Sequence, residues 1–349
     1  MDVPFEWTDC VVCGGANFDL VLKKTYYGAA LRGVKKFDYT IVRCSQCGLV
    51  FVNPRISISN LRMLYGLYPD LRVVVDVFPP EKAFFGLARR KYLSLYLDPL
   101  REGTDGIRVL DVLCRDGSFL EEVRKALPGA EVHGFEFRPP FIERARKRGL
   151  NIRVGSYIDA IQEARYPGEY FDAVFVRHVL EHFYNPGAAV FEFSRILKDN
   201  GLLIVEVPNL ASINRILFGK EWIVFSSPRQ LFHFSPETIS LLLTRYNLRV
   251  EGVRHPWLHY QLFDVCLAKL LVRPVLKVLA RSGGGGNFLN SLRVARVTLS
   301  MFPLDPFSLV SALVSLAGAA VGRSDVVVVY ARKNATRTLG ASDSAGATW

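Results

Sequence analysis

The chain contains no apolar run approaching the roughly 20 residues that a membrane-spanning helix requires. Its best candidate, 307–321 (FSLVSALVSLAGAAV), is too short and is broken by three serines and by small residues. The first ten residues, MDVPFEWTDC, are acidic and hold no apolar segment. They do not read as a secretory leader, and the expectation is a cytoplasmic protein. Cysteine is scarce: six in 349 residues, of which Cys114 and Cys266 stand alone and read as small buried hydrophobes. Acid is the minority charge, with 33 carboxylates against 44 lysines and arginines, giving a formal charge of +11. Such a balance favours phosphate, nucleic acid or an anionic membrane surface as a partner. Nucleic acid is disfavoured, because bases are not interleaved with aromatic residues on a recognisable strand pattern.

Half of the residues are apolar, which supports a large core. Residues 1–55 read as one unit bounded by CVVCGG and CSQCGLVFVNPR. Residues 56–105 read as a linker followed by a helix, PEKAFFGLARRKYLSLYL, with proline and acid at its start. From 107 onward strand and helix patterns alternate: IRVLDVL, SFLEEVRKAL, AEVHGFEF, PPFIERARKRGL, NIRVGS, YFDAVFVRHV, AAVFEFSRILK and GLLIVEVPN. Alternation of this kind predicts crossover units and a parallel sheet covered on both faces. SPETISLLLTRYN predicts a helix capped by Ser235, and LRVEGVRHP and SDVVVVYARK predict two late strands. Between those strands lies an apolar insertion, 258–323, too long for a hairpin loop. The end, 334–349, is small and polar and reads as disordered.

Two C-x-x-C pairs, Cys10/Cys13 and Cys44/Cys47, lie about 30 residues apart, each followed by glycine. In a reducing compartment that spacing predicts a closed, structural zinc site rather than a redox pair. The stretch 109–120, VLDVLCRDGSFL, has the form of a strand entering a glycine-rich loop that has lost most of its glycines. Glycine is useful there because it allows positive φ and leaves no Cβ in a ligand's path. Glu136, at the end of the next strand, is placed to bind ribose hydroxyls.

Residues 171–209, FDAVFVRHVLEHFYNPGAAVFEFSRILKDNGLLIVEVPN, resemble the class I S-adenosylmethionine-dependent methyltransferases. The resemblance rests on Phe171-Asp172, Leu180-Glu181-His182, Arg195-Ile196-Leu197-Lys198, Gly201 and Pro208-Asn209. CSQCGLVFVNPR is similar to a zinc-binding module that precedes the domain in one branch of the family, and RQLFHFSPETI is similar to a later family segment. The resemblance covers about 1–255 plus the last strand. It implies a Rossmann-like, doubly wound α/β sheet (106–257 plus 324–333), a zinc-ribbon-like N-terminal module and a helical C-terminal insertion. It also implies S-adenosylmethionine as cofactor, held by Asp111, Leu113, Arg115, Gly117, Glu136, Ser156 and Arg177. Leu113 and Arg115 stand where the family loop has glycines; positive φ at either would carry strain of order 1 kcal/mol. Asn200 replaces a turn glycine, and asparagine tolerates that turn.

A sulfonium methyl is already electrophilic, so the protein's task is to align a nucleophile and remove a proton where needed. His178 and His233 are the candidate catalytic groups, His233 being a base or a structural partner. His182 and Glu181 read as structural. Asn209 is a candidate to orient a substrate hydroxyl or a turn residue; Trp222 is a substrate platform or core. Between 254 and 333 ten bases face three acids, and Lys269, Arg273 and Lys277 fall four apart on one helix face. That suits either the plane of an anionic membrane at its inner face or a packed helical pair. SGGGGN at 282–287 reads as a flexible joint within that insertion. The functional expectation is methyl transfer to a small-molecule, sugar or lipid-linked acceptor. The competing readings are a non-catalytic scaffold with a degenerate loop and an RNA methyltransferase.

Overall fold

The computed structural model describes residues 5–31, 34–61, 85–100, 106–156, 160–226, 228–257 and 306–335. Valine- and phenylalanine-rich runs form a seven-stranded sheet. In chain order its strands are β6 (Arg108–Val112), β7 (Glu131–Glu136), β8 (Asn151–Val154), β9 (Phe171–Arg177), β10 (Leu197–Pro208), β12 (Leu248–Arg254) and β13 (Val326–Lys333). The order across the sheet is β12-β13-β10-β9-β6-β7-β8. β10, β9, β6, β7 and β8 run parallel, and β13 lies antiparallel to both of its neighbours. This is the doubly wound α/β class expected, and the strand order reverses beside β6, where such sheets bind ligands.

Both faces are covered. Val109, Ala173, Phe175 and Ile204 pack with Tyr92, Tyr96, Phe119 and Val123 on one side. The alternate residues Leu110, Val174, Val176 and Val205 pack with Phe183, Val190 and Phe193 on the other. Burial on both faces is why these strands read as nearly continuous apolar runs. The helices are α1 (Phe85–Leu97), α2 (Ser118–Ala126), α3 (Pro139–Lys147), α4 (Pro186–Ile196), α5 (Ile213–Phe218), α6 (Pro236–Thr244) and α7 (Pro306–Ala320). Ser235 caps α6, and its side chain and that of Thr238 bond reciprocally to each other's backbone N–H.

The N-terminal unit contributes β1 (Phe5–Glu6), the long hairpin β2 (Phe18–Leu31) and β3 (Val34–Cys44), then β4 (Val50–Val52) and β5 (Arg55–Ile56). β11 (Phe232–His233) joins this unit: the four-stranded order is β11-β4-β3-β2. The strand that completes the N-terminal sheet therefore comes from some 180 residues later in the chain. Its core residues Ile41, Leu49 and Phe51 run continuously into Phe232 and Phe234. Tyr39 Oη donates to the Phe225 carbonyl at 2.7 Å, and Arg55 donates to the Tyr184 carbonyl at 2.5 Å while lying over its ring.

Of the expected linker, residues 62–84 and 101–105 lie outside the described residues. So do 258–305 of the insertion, including Cys266 and the Lys269/Arg273/Lys277 face, and 336–349 of the tail. Among the described residues no helix is long and apolar enough to cross a membrane.

Candidate functional site

The carboxyl ends of β6, β7, β9 and β10 converge on one edge of the sheet. β6 delivers Asp111, and the following turn carries both Leu113 and Arg115 at φ 56°. The left-handed backbone that glycine would favour is thus kept with two side chains in place. Each costs about 1–2 kcal/mol, offset by the packing around them. Gly117 is required: its φ is +77°, and a Cβ there would come within 2.1 Å of Leu150 Cδ1.

Both strand-end carboxylates meet arginines. Arg177 reaches Asp111 at 3.0 and 3.4 Å and lies 3.6 Å from the Phe119 ring centre. Burial raises the Asp111 pKa, against the pull of Arg177. Glu136, fully buried, accepts from Phe137 N, Arg138 N and Arg138 Nε on one oxygen. Its other oxygen accepts from Arg115 N at 3.0 Å and from an Arg138 terminal nitrogen at 2.8 Å. The Arg138 guanidinium also rests 4.4 Å from the Phe141 ring centre. Ser156, by contrast, is exposed and engaged with Glu163, its N and Oγ both 2.6 Å from that carboxylate.

His178 leaves β9 with φ 53° and places Nε2 3.3 Å from Glu206 and Nδ1 3.8 Å from Glu181. Burial opposes its protonation, but Glu206 and Glu181 outweigh burial and raise its pKa to about 10. At neutral pH His178 is therefore a cation, suited to holding charge rather than removing a proton. Glu206 also accepts from Tyr92 Oη at 2.8 Å and from Tyr96 Oη. These tyrosines and Glu206 carried no motif; their signal was only the polar atoms in an apolar helix and strand.

His182 is buried, and its Nδ1 lies 3.0 Å from the Arg229 carbonyl oxygen, a structural contact. Asn209 is buried with both amide atoms committed, donating to the Ser324 carbonyl at 2.8 Å and accepting from Ala211 N at 2.9 Å. That is the role of a turn residue. His233 and Trp222 are brought together: ring centres lie 6.4 Å apart, both pack edge-on against Phe225, and both are buried. Among the described residues neither His233 nitrogen nor Trp222 Nε1 has a hydrogen-bond partner. Burial first, then Arg215 and His182, hold the His233 pKa down at about 3, so its imidazole is neutral.

The sulfurs of Cys10, Cys13, Cys44 and Cys47 all lie within 4.8 Å of one another. Cys10 and Cys47 approach to 3.4 Å, Cys13 and Cys44 to 3.5 Å. A tetrahedral zinc with Zn–S of about 2.3 Å sets its sulfurs about 3.8 Å apart, so the donor set fits that ion. Burial opposes ionisation of Cys44, but backbone N–H groups of Cys47 and Gln46 outweigh it and lower its pKa to about 7.

The sheet edge fits S-adenosylmethionine in its frame: an acid at each strand end, the left-handed turn and an obligatory Gly117. One rearrangement is built into that fit. A ribose diol that takes Glu136 displaces the Arg138 guanidinium, whose side chain is 20% exposed.

A family model described as a methyltransferase domain matches residues 85–253. The ubiquinone biosynthesis O-methyltransferase of Xylella fastidiosa is 32% identical over 198 residues, covering 52% of this chain and 77% of that protein. The protein of the same name from Xanthomonas oryzae pv. oryzae is 29% identical, covering 52% and 80%. Among solved structures, a SAM-dependent methyltransferase from Archaeoglobus fulgidus aligns at 15% identity and a TM-score of 0.41, covering 72% of this chain and all of that one.

Proposed function

The chain belongs to the methyltransferase-domain family, and from that premise we propose that it transfers a methyl group from S-adenosylmethionine to a hydroxyl of a small-molecule acceptor. The observation that carries the reading is the pair of buried carboxylates, Asp111 and Glu136, at adjacent strand ends beside the Gly117 turn. The names of the relatives, O-methyltransferases of ubiquinone biosynthesis, support oxygen as the accepting atom.

The bound cofactor supplies an electrophilic methyl on a sulfonium. Glu136 would hold ribose hydroxyls, and the 113–117 turn would position the amino-acid end. Arg177 fixes Asp111 in a dry setting by a two-point contact at 3.0 and 3.4 Å. His178, Glu206 and the two tyrosines form a buried polar network that orders the floor of the site. His233 is the neutral imidazole with unengaged nitrogens, and we assign it the acceptor's proton. The four cysteines would hold a structural zinc that fixes the β2/β3 hairpin beside β4, the strand with which β11 pairs. Peripheral contact with an anionic membrane is supported by the apolar residues Leu313, Leu316 and Val321 exposed on and just after α7, and Ile216 and Leu217 on α5.

The deciding experiment is calorimetric titration of S-adenosylmethionine into the zinc-loaded protein, with Leu113→Gly/Arg115→Gly alongside. Micromolar binding by the natural chain supports the enzyme reading. Binding only by the double glycine variant would mean that the natural turn is closed by its own side chains, the scaffold reading.

A further inference from the structure

One row of the four-stranded sheet runs Asp19–Arg43–Val50–His233 across β2, β3, β4 and β11. Residues directly opposite on neighbouring strands point to the same face. Val50 and His233 are buried on that face, while Arg43 is exposed. Helix α5 brings Arg215 to the same place from the methyltransferase side. Its guanidinium carbon lies 4.9 Å from the centre of the Phe225 ring, and His233 packs on that ring at 4.8 Å.

Burial depresses the Arg215 pKa, the Arg43 guanidinium depresses it further, and among the described residues no carboxylate offsets either effect. Asp19, the carboxylate of the row, accepts from Ser45 Oγ at the far side of Arg43. Arg215 Nε, Trp222 Nε1 and both His233 nitrogens are buried without hydrogen-bond partners among the described residues. Leaving that many polar atoms dry and unmatched is costly, and in native structures it marks a place that another group fills. The missing group must bring acceptors and negative charge. Guanidinium forks match phosphate oxygens in geometry and in charge.

We propose that this seam between the cysteine unit and the methyltransferase core binds a phosphoryl group of the acceptor, with Arg43 and Arg215 as its ion-pair partners and Trp222 and His233 as its neutral hydrogen-bonding partners. The inference rests on the methyl-transfer reading and narrows it to a phosphorylated acceptor. A phosphoryl group on Arg215 also cancels one of the charges that hold His233 non-basic. The imidazole then gains affinity for a proton only when the acceptor is in place.

The test is calorimetry on the full, zinc-loaded chain at fixed ionic strength, titrating inorganic pyrophosphate and, separately, S-adenosylmethionine. Pyrophosphate should bind, and Arg43→Gln and Arg215→Gln should each weaken it by about tenfold or more, with S-adenosylmethionine binding unchanged. Arg43 is exposed, so Arg43→Gln keeps the fold, as an unchanged melting temperature will verify. Pyrophosphate binding that neither substitution weakens means an adventitious ion only and overturns the proposal; so does no binding. Pyrophosphate binding with the expected losses but no S-adenosylmethionine binding keeps the anion site and overturns the methyl-transfer reading instead. Uridine diphosphate and phosphatidylglycerol vesicles then separate the sources. Whichever of the two the substitutions weaken identifies a soluble phosphorylated acceptor or a lipid headgroup, and weakening of neither overturns the proposal.

Discussion

Arg115, Gly117, Arg138 and His178 each make a different demand on the site. Arg115 holds its left-handed φ with a backbone bond to Glu136 and a ring contact with Phe141. Arg115→Gly should leave unfolding free energy within about 1 kcal/mol of the natural chain, whereas Gly117→Ala should cost about 2–3 kcal/mol, both read by urea denaturation. Equal losses would contradict the strain argument. At Glu136 the question is competition. Arg138→Ala should tighten S-adenosylmethionine binding, because five donors now saturate that carboxylate and two of them belong to the Arg138 side chain. Weaker binding would show that Arg138 holds the ligand rather than guards the acid. His178 sets a pH dependence. Its pKa rises from 6.5 to about 10 on folding, so its contribution to stability is full below 6.5 and is lost as pH rises through about 10. Asp325, raised to about 7 by burial, is half protonated at pH 7 and adds to the fall only up to about pH 8. Unfolding free energy should therefore fall from pH 7 to 10, and His178→Gln should flatten the slope; an unchanged slope in the variant would exclude His178 as its source.

At the scale of elements, the hairpin β2/β3 and the short β4 are tied at one end by the four cysteines and at the other by β11. Stripping metal with a chelator should lower the melting temperature and, because β4 pairs with β11, should also perturb the Trp222–His233 cluster. Near-ultraviolet circular dichroism and metal content together read this, with one zinc per chain expected. Loss of metal without any change in the tryptophan signal would separate the two ends. Apart from α5 and β11, the helices and strands from 107 to 254 were legible in the sequence, because each carries one period of hydrophobicity and a chemical stop. Ser235 as a cap and Asn200 in a left-handed turn (φ 59°) are where they were expected. β11 was not legible: two residues are too few to show a period, and their pairing partner is remote.

For the whole molecule, the exposed apolar residues of α5 and around α7 lie on helices that touch each other. Leu313→Glu/Leu316→Glu should reduce sedimentation with anionic liposomes while leaving the melting temperature unchanged, since both side chains are more than half exposed. Liposome binding that survives the change would place any membrane contact elsewhere. The seam is the other feature that belongs to this scale, since it joins residues 43, 215, 222 and 233 from separate elements.

By itself, the sequence determined the parts whose physics is local or periodic: the alternating strands and helices, the paired cysteines, the acids at strand ends and the loss of glycine from the first turn. Only the tertiary structure decided what those residues meet. It paired Arg177 with Asp111 and Arg138 with Glu136, made a cation of His178 and committed Asn209 to backbone. It also buried His233 and Trp222 with no hydrogen-bond partner among the described residues. Charge state and hydrogen-bond satisfaction depend on what lies within a few ångströms, and in this chain those neighbours come from remote stretches of sequence.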